Sequence, residues 1–192
     1  MRAFIAIDLP LSVRNALGQV QAFFREQLRS AAAHEDSIRW ARPDGIHLTL
    51  KFLGNISQDQ SNRIIGLLRG FEPFERFSVD VIGYGFFPDR RRPQVFWAGL
   101  VAPPALTAVA GRIDHAIASL GLPRERRPFA PHLTLARFKT PRRQPVLEAA
   151  VIEQAGRSLG QFEVSEIFLF ESQLAFGSPA QYRKIARFPA ER

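Results

Sequence analysis

The chain has 192 residues, 46% of them hydrophobic, which suits one domain of moderate size or two small, tightly joined lobes. It contains no cysteine, which excludes disulfides, thiolate metal sites and a cysteine nucleophile. Its net charge of +8, carried mostly by arginine, attracts polyanions such as nucleic acid or acidic headgroups, and equally suits a plain preference for Arg over Lys.

Residues 3–9 read as an apolar strand, and Asp8 interrupts the run too early for a signal peptide. Pro10 stands where proline is tolerated, at the opening of a helix in which Val13, Leu17, Val20, Phe24 and Leu28 recur at helical spacing. The polar stretch 30–37, with His34, reads as a mobile loop. A strand with the tetrapeptide His47-Leu-Thr-Leu50 follows, then a helical pattern at Ile64, Ile65 and Leu68, then a third strand at about 76–87. The Pro- and Arg-rich segment 88–93 leads to a second strand–helix pair: residues 94–101, Pro103-Pro104, and Leu106, Val109, Ile113, Ile117 and Leu120 at helical spacing, stopped by Gly121. A second His132-Leu-Thr-Leu135 comes next, then a helix marked by Val146, Leu147, Ala150 and Val151, and a strand at about 161–171. A last strand, about 181–188, closes the chain.

The two halves, about 1–92 and 93–192, therefore repeat one strand–helix–strand–helix–strand unit. With His47 set over His132, Arg42-Pro43 falls on Arg127-Pro128, and Phe77-Ser-Val79 falls on Phe162-Glu-Val164. The expected fold is α+β: a single bilobal domain, 1–192, of two pseudo-symmetric lobes of antiparallel sheet with outer helices and a central cleft. No stretch approaches the ~20 apolar residues of a membrane span, and the expected location is the cytoplasm.

Residues i and i+2 of a strand share a face, so His47 and Thr49 point together while Leu48 and Leu50 point into a core. His132 and Thr134 repeat this. Two lobes facing each other would bring two imidazoles and two hydroxyls into one cleft. Imidazole titrates near neutrality, so one can act as base and the other as acid, while the threonines donate hydrogen bonds to phosphate oxygens. A lone His-x-Thr carries little weight; two copies in matching places of a repeat carry much more. Zinc would need a third protein ligand, and neither tetrapeptide has a carboxylate close by, so no metal and no cofactor are expected. A Gly-x-Ser-x-Gly nucleophile turn and a Gly-x-x-x-x-Gly-Lys phosphate loop are both absent. His115 lies off the apolar stripe of its helix and reads as solvated.

Lys51 is two residues beyond Thr49 and is expected on the motif face as a second cation. Arg137, three residues beyond Thr134, falls on the face opposite His132 in a regular strand; contact with a phosphate there requires a bulge or a strand end, and otherwise the side chain is solvated. Phe4, Tyr182 and Phe129 are candidates for stacking a nucleobase, with core packing favoured for Phe4.

The paired His-x-Thr-x motifs in a duplicated α+β chain resemble the 2H phosphoesterase superfamily, and within it the RNA 2′,3′-cyclic phosphodiesterase (2′-5′ RNA ligase, LigT-like) family. The resemblance runs through Arg2-Ala-Phe-Ile-Ala-Ile-Asp8, His47-Leu-Thr-Leu-Lys-Phe-Leu-Gly54, Arg127-Pro-Phe-Ala-Pro-His-Leu-Thr-Leu-Ala-Arg137, Phe170-Glu-Ser172, Tyr182 and Phe188-Pro189. It implies hydrolysis of a 2′,3′-cyclic phosphate at an RNA end to a 2′-phosphomonoester, with His47 as proton donor and His132 as proton acceptor; the near-symmetric halves do not assign these roles themselves. The reverse reaction would join such an end to a 5′-hydroxyl in a 2′-5′ bond. RNA is then the expected partner of a monomeric chain. Two other readings stay open: a phosphoesterase for a small cyclic nucleotide or 2′-5′ oligoadenylate, and an RNA-binding module with an idle site.

Overall fold

The computed structural model describes residues 1–31, 37–173 and 180–190. The loop placement expected for His34 lies outside these residues. In chain order the elements are β1 (Arg2–Ile7), α1 (Leu11–Ser30), β2 (Ile38–Trp40), β3 (Leu48–Asn55), α2 (Gln58–Arg69), β4 (Phe77–Phe87), β5 (Val95–Val101), α3 (Pro104–Ala118), β6 (His132–Phe138), α4 (Pro145–Glu153), β7 (Ser158–Val164), β8 (Glu166–Gln173) and β9 (Gln181–Pro189). Each helix follows from its sequence. α1 buries the expected Val13, Leu17, Val20, Phe24 and Leu28, α3 buries Leu106, Val109, Ile113 and Ile117, and proline stands at the N-terminus of both. α2 begins with a capping box in which Ser57 and Gln60 satisfy each other's backbone amides.

All strands are antiparallel and belong to one sheet, ordered β7-β4-β5-β6-β3-β1-β8-β9, with β2 paired to β6. The fold is α+β as expected, but the two lobes share this one sheet and meet through β3 and β6 at the pair Leu48–Leu133, the same position of each motif. The third strand of the second half is two strands, β7 and β8, separated only by Ser165. β7 pairs with β4 at one end of the sheet, and β8 pairs with β1 near the other. One bent stretch of chain therefore connects both ends, and the sheet curls.

One sheet face packs on the helices. Ile5, Ile7, Leu48, Leu50, Phe96, Leu133, Leu135 and Leu169 lie in a single core with the buried faces of α1, α2, α3 and α4. Phe4, Ala6, Phe168 and Phe170 form a separate buried cluster. They alternate with core residues along β1 and β8, so they mark the opposite face, which carries the site.

Both motif strands are bulged at the same place. On β3, Ile5 pairs with Lys51 and Ala6 with Thr49, leaving Leu50 extra. On β6, Phe96 pairs with Ala136 and Trp97 with Thr134, leaving Leu135 extra. An extra residue reverses the alternation beyond it. Lys51 is thereby turned to the helix side, contrary to the sequence expectation. Only 5% exposed, it donates to the Asp114 carboxylate at 2.6 Å and to the Pro123 carbonyl at 2.7 Å. Arg137 is turned the other way, onto the face of His132 and Thr134, where it is exposed. A buried side chain helps fix this second bulge. The Gln21 amide on α1 donates to Leu135 O at 2.9 Å and to Ala41 O at 2.8 Å.

Candidate active site

His47 stands immediately before β3 and His132 opens β6, so neighbouring strands hold the two imidazoles. Each ring is held in the same way. His47 Nδ1 lies 2.8 Å from Gly45 O, and His132 Nδ1 lies 2.8 Å from Ala130 O, in both cases the carbonyl two residues earlier. A carbonyl only accepts, so each Nδ1 carries a proton and donates it. Each neutral ring then keeps Nε2 unprotonated, with its lone pair available to a substrate.

Burial lowers the pKa of both histidines below 6.5, against the raising effect of these backbone hydrogen bonds. The Arg137 guanidinium lowers both as well, so one cation acts on both rings. The two sites also differ. His47 feels the carboxylate of Asp8, which raises its proton affinity, more strongly than it feels Arg14, which lowers it. Among the described residues no carboxylate contributes at His132. Asp8 is itself paired with Arg14 and Lys184.

Aromatic rings wall each imidazole. Phe4 stacks on His47 at 4.4 Å between ring centroids, Phe170 stacks on Phe4 at 5.2 Å and lies 6.1 Å from His47 itself, and Tyr182 meets His47 edge-on at 4.9 Å. Gly45 makes room for that tyrosine: a Cβ there would stand 3.2 Å from the Tyr182 ring. Beside His132, Phe87 sits edge-on at 4.9 Å and Trp97 at 6.5 Å. Trp97 lies over Gly85, where a Cβ would come within 2.1 Å of its ring. The packing is reversed between halves: Trp97 over Gly85 on one side is matched by Phe168 beside Ala6 on the other, at equivalent positions of the paired strands.

Of the residues singled out in the sequence, the structure brings His47, Thr49, His132, Thr134, Arg137, Phe4 and Tyr182 to this face. It does not bring Lys51, as described above. Phe129 packs half-buried against the main core, and His115 is exposed on α3. Sequence reasoning gave no role to Phe87, Trp97 and Phe170 around the imidazoles, or to Phe52, 58% exposed near Phe4. Phe52 occupies on β3 the place that Arg137 occupies on β6, a correspondence visible by laying one repeat over the other. Among the described residues no group of three or more His, Asp or Glu side chains is placed to hold a metal ion, and no helix is long and apolar enough to cross a membrane.

The arrangement can take a proton at one Nε2, deliver one at the other, and neutralise an anion between them. Comparison with known proteins agrees with this chemistry. The family described as LigT like Phosphoesterase matches residues 7–97 and 100–180. A Methanothermobacter thermautotrophicus protein named RNA 2′,3′-cyclic phosphodiesterase is 32% identical over 183 residues, 93% of this chain and 94% of its own. An Escherichia coli protein of the same name is 32% identical over 181 residues, 92% of this chain and 89% of its own. The crystal structure of E. coli LigT complexed with 3′-AMP superposes with a TM-score of 0.79 at 26% identity, covering 100% of this chain and 98% of that one. Sequence relatives, solved folds and the duplicated His-x-Thr strands converge: the chain belongs to the LigT-like phosphoesterase family.

Proposed function

We propose that the protein hydrolyses the 2′,3′-cyclic phosphate at an RNA end to a 2′-phosphomonoester, as the names of its relatives suggest for them. The observation that carries this reading is the pair of imidazoles, each with Nδ1 donated to a backbone carbonyl, acted on by the one guanidinium of Arg137. In this reading His132 Nε2 removes a proton from water as its oxygen bonds to phosphorus. The P–O3′ bond breaks, and His47, protonated at Nε2, gives its proton to the departing 3′-oxygen. The carboxylate of Asp8, felt only by His47, favours His47 as the protonated partner. Arg137 offsets charge on the non-bridging oxygens, with Thr49 and Thr134 as hydrogen-bond donors to them. The exposed Tyr182 is suited to meet a nucleobase, while Phe4, buried beside it, packs against His47 as core. The two halves, 1–92 and 93–192, then act as one bilobal unit, each supplying one histidine, in a monomer working in the cytoplasm.

The direct test is product identity. A short RNA with a 2′,3′-cyclic phosphate end, incubated with the protein in EDTA, is expected to yield a 2′-phosphate end. A 3′-phosphate product would reverse the assigned leaving group, and turnover that needs an added divalent cation would replace the two-histidine mechanism. The pH dependence follows from the burial of the rings. Both pKa values are lowered, so kcat/KM is expected to be bell-shaped with its maximum below pH 6.5. The acid limb reports protonation of the base, and the alkaline limb reports loss of the proton from the acid. Bound anionic phosphate favours the imidazolium, so the alkaline limb of kcat should lie at higher pH than that of kcat/KM. A kcat/KM that keeps rising through pH 8 would exclude paired histidine catalysis.

A further inference from the structure

The strand β2 has no counterpart in the second half of the chain, where the corresponding stretch is loop. It pairs with β6 just beyond the bulge, placing Ile38 opposite Phe138, Arg39 opposite Arg137 and Trp40 opposite Ala136. The outer pairs sort by face: Ile38 and Phe138 are both buried, and Arg39 and Arg137 are both exposed. Directly opposed residues of antiparallel strands project to the same side, with Cβ atoms about 4.5–5.5 Å apart, and like charges so placed repel. Neither arginine forms an ion pair among the described residues. The sheet therefore presents two adjacent guanidinium groups without a carboxylate between them, on the face that carries both histidines. The pair is stabilised when anions occupy it.

The two cations are not equivalent. Arg137 acts on both imidazoles, whereas Arg39 contributes to neither. Arg39 thus stands one strand further from the reacting centre. An RNA end with a cyclic phosphate has one direction in which to continue, toward its 5′ side, and the next charge along it is the phosphodiester joining the last nucleotide to its neighbour. We propose, resting on the reading of the site given above, that Arg39 binds this penultimate phosphate while Arg137 binds the terminal cyclic phosphate. Arg39 is then a specificity-determining residue. It makes the enzyme prefer an RNA strand to a cyclic mononucleotide, which has no second phosphate. The 5′ flank leaves the cleft over β2, and the aromatic side around His47 stays free for the terminal nucleoside.

The test compares Arg39→Ala, Arg39→Lys and, as a control, Arg69→Ala, which removes the same charge from the exposed end of α2. Each is assayed on 2′,3′-cyclic CMP and on an RNA tetranucleotide ending in a 2′,3′-cyclic phosphate. Arg39→Ala is expected to raise KM for the tetranucleotide about tenfold and to reduce the slope of log affinity against log salt by about one. Its kinetics on the mononucleotide should be those of the wild type, which also shows that the variant is folded. Arg39→Lys should recover part of the loss, because a point charge replaces a fork. Equal loss on both substrates, no loss on the tetranucleotide, or the same loss in Arg69→Ala would each overturn the proposal. Should the wild type turn over neither substrate, the cyclic-phosphodiesterase reading fails. Arg39 is then judged by fluorescence anisotropy with a labelled tetranucleotide bearing a 3′-phosphate: weaker binding in Arg39→Ala alone retains the two-phosphate site, and unchanged binding removes it.

Discussion

His47→Ala and His132→Ala are each expected to lower kcat on an RNA 2′,3′-cyclic phosphate by about 10²–10⁴-fold, the range for loss of a positioned general acid or base. KM should change far less, because the phosphate is held by other groups. The two imidazoles have one task each in a single transition state, so their losses should not multiply. The double variant is expected to be little worse than the poorer single one, as is found when residues act as a unit. His132→Asn gives a sharper test of which nitrogen matters. The Asn amide can still donate to Ala130 O, as His132 Nδ1 does, but it has no group at the place of Nε2. It should therefore be as inactive as His132→Ala. Substantial activity in His132→Asn would mean that the residue shapes the loop and moves no proton. Multiplying losses in the double variant would mean that the histidines serve separate steps.

The repeat makes the architecture legible in the sequence. His47 and His132, with Leu48 and Leu133 alternating beside them, fixed both strands, their equivalence and the face that carries the chemistry. The helices were equally readable, because stripes such as Val13, Leu17, Val20, Phe24 and Leu28 have one periodic explanation. What could not be read was the parity of each strand beyond its motif. Strict alternation put Lys51 in the site and Arg137 outside it, and the bulges at Leu50 and Leu135 reverse both. A signal for this was present. In the second half the large apolar positions run Leu133, Leu135, then Phe138, changing from even to odd spacing, whereas in the first half Leu50 is followed by both Phe52 and Leu53, which fill both parities and mask the change. An alternating strand that changes parity while one face stays buried must contain an extra residue. The rings of Phe87, Trp97 and Phe170 were hidden for another reason. They come from strands distant in sequence, and their place beside the imidazoles depends on the register of a sheet whose ends are joined through the bent stretch at Ser165. A sequence carries hydrophobic periodicity but not register between distant strands.

The same reversal gives Lys51 a structural role with a large expected effect. Its ammonium is buried between the halves, bonded to Asp114 on α3 and to Pro123 O in the loop that leads to the second motif. Asp114 also accepts from Arg124 and from the Glu125 amide. Lys51→Met would leave this carboxylate without its buried partner, and breaking such a pair costs about 3–5 kcal/mol. The lower end is expected here because Arg124 and the Glu125 amide remain. Urea unfolding at pH 7 measures the loss as a lower midpoint at unchanged slope. The sign of the pH effect is fixed as well. Burial raises the Asp114 pKa, but hydrogen bonds from Lys51, the Glu125 amide and Arg124 outweigh it and hold the group down at about 2. A depressed carboxylate stabilises the fold fully above its unfolded value of about 4, and that contribution disappears as pH falls toward 2. Wild type should therefore lose stability between about pH 4 and pH 2, and Lys51→Met should lose less over that interval. Removing both charges separates the cost of an orphaned carboxylate from the value of the pair. Lys51→Met/Asp114→Leu is expected to regain much of the stability lost in Lys51→Met, since a packed apolar pair can replace a buried ion pair at little cost. If the double variant is instead as unstable as the sum of the single changes, the two side chains do not interact. Lys51 would then hold the fold through the Pro123 carbonyl alone.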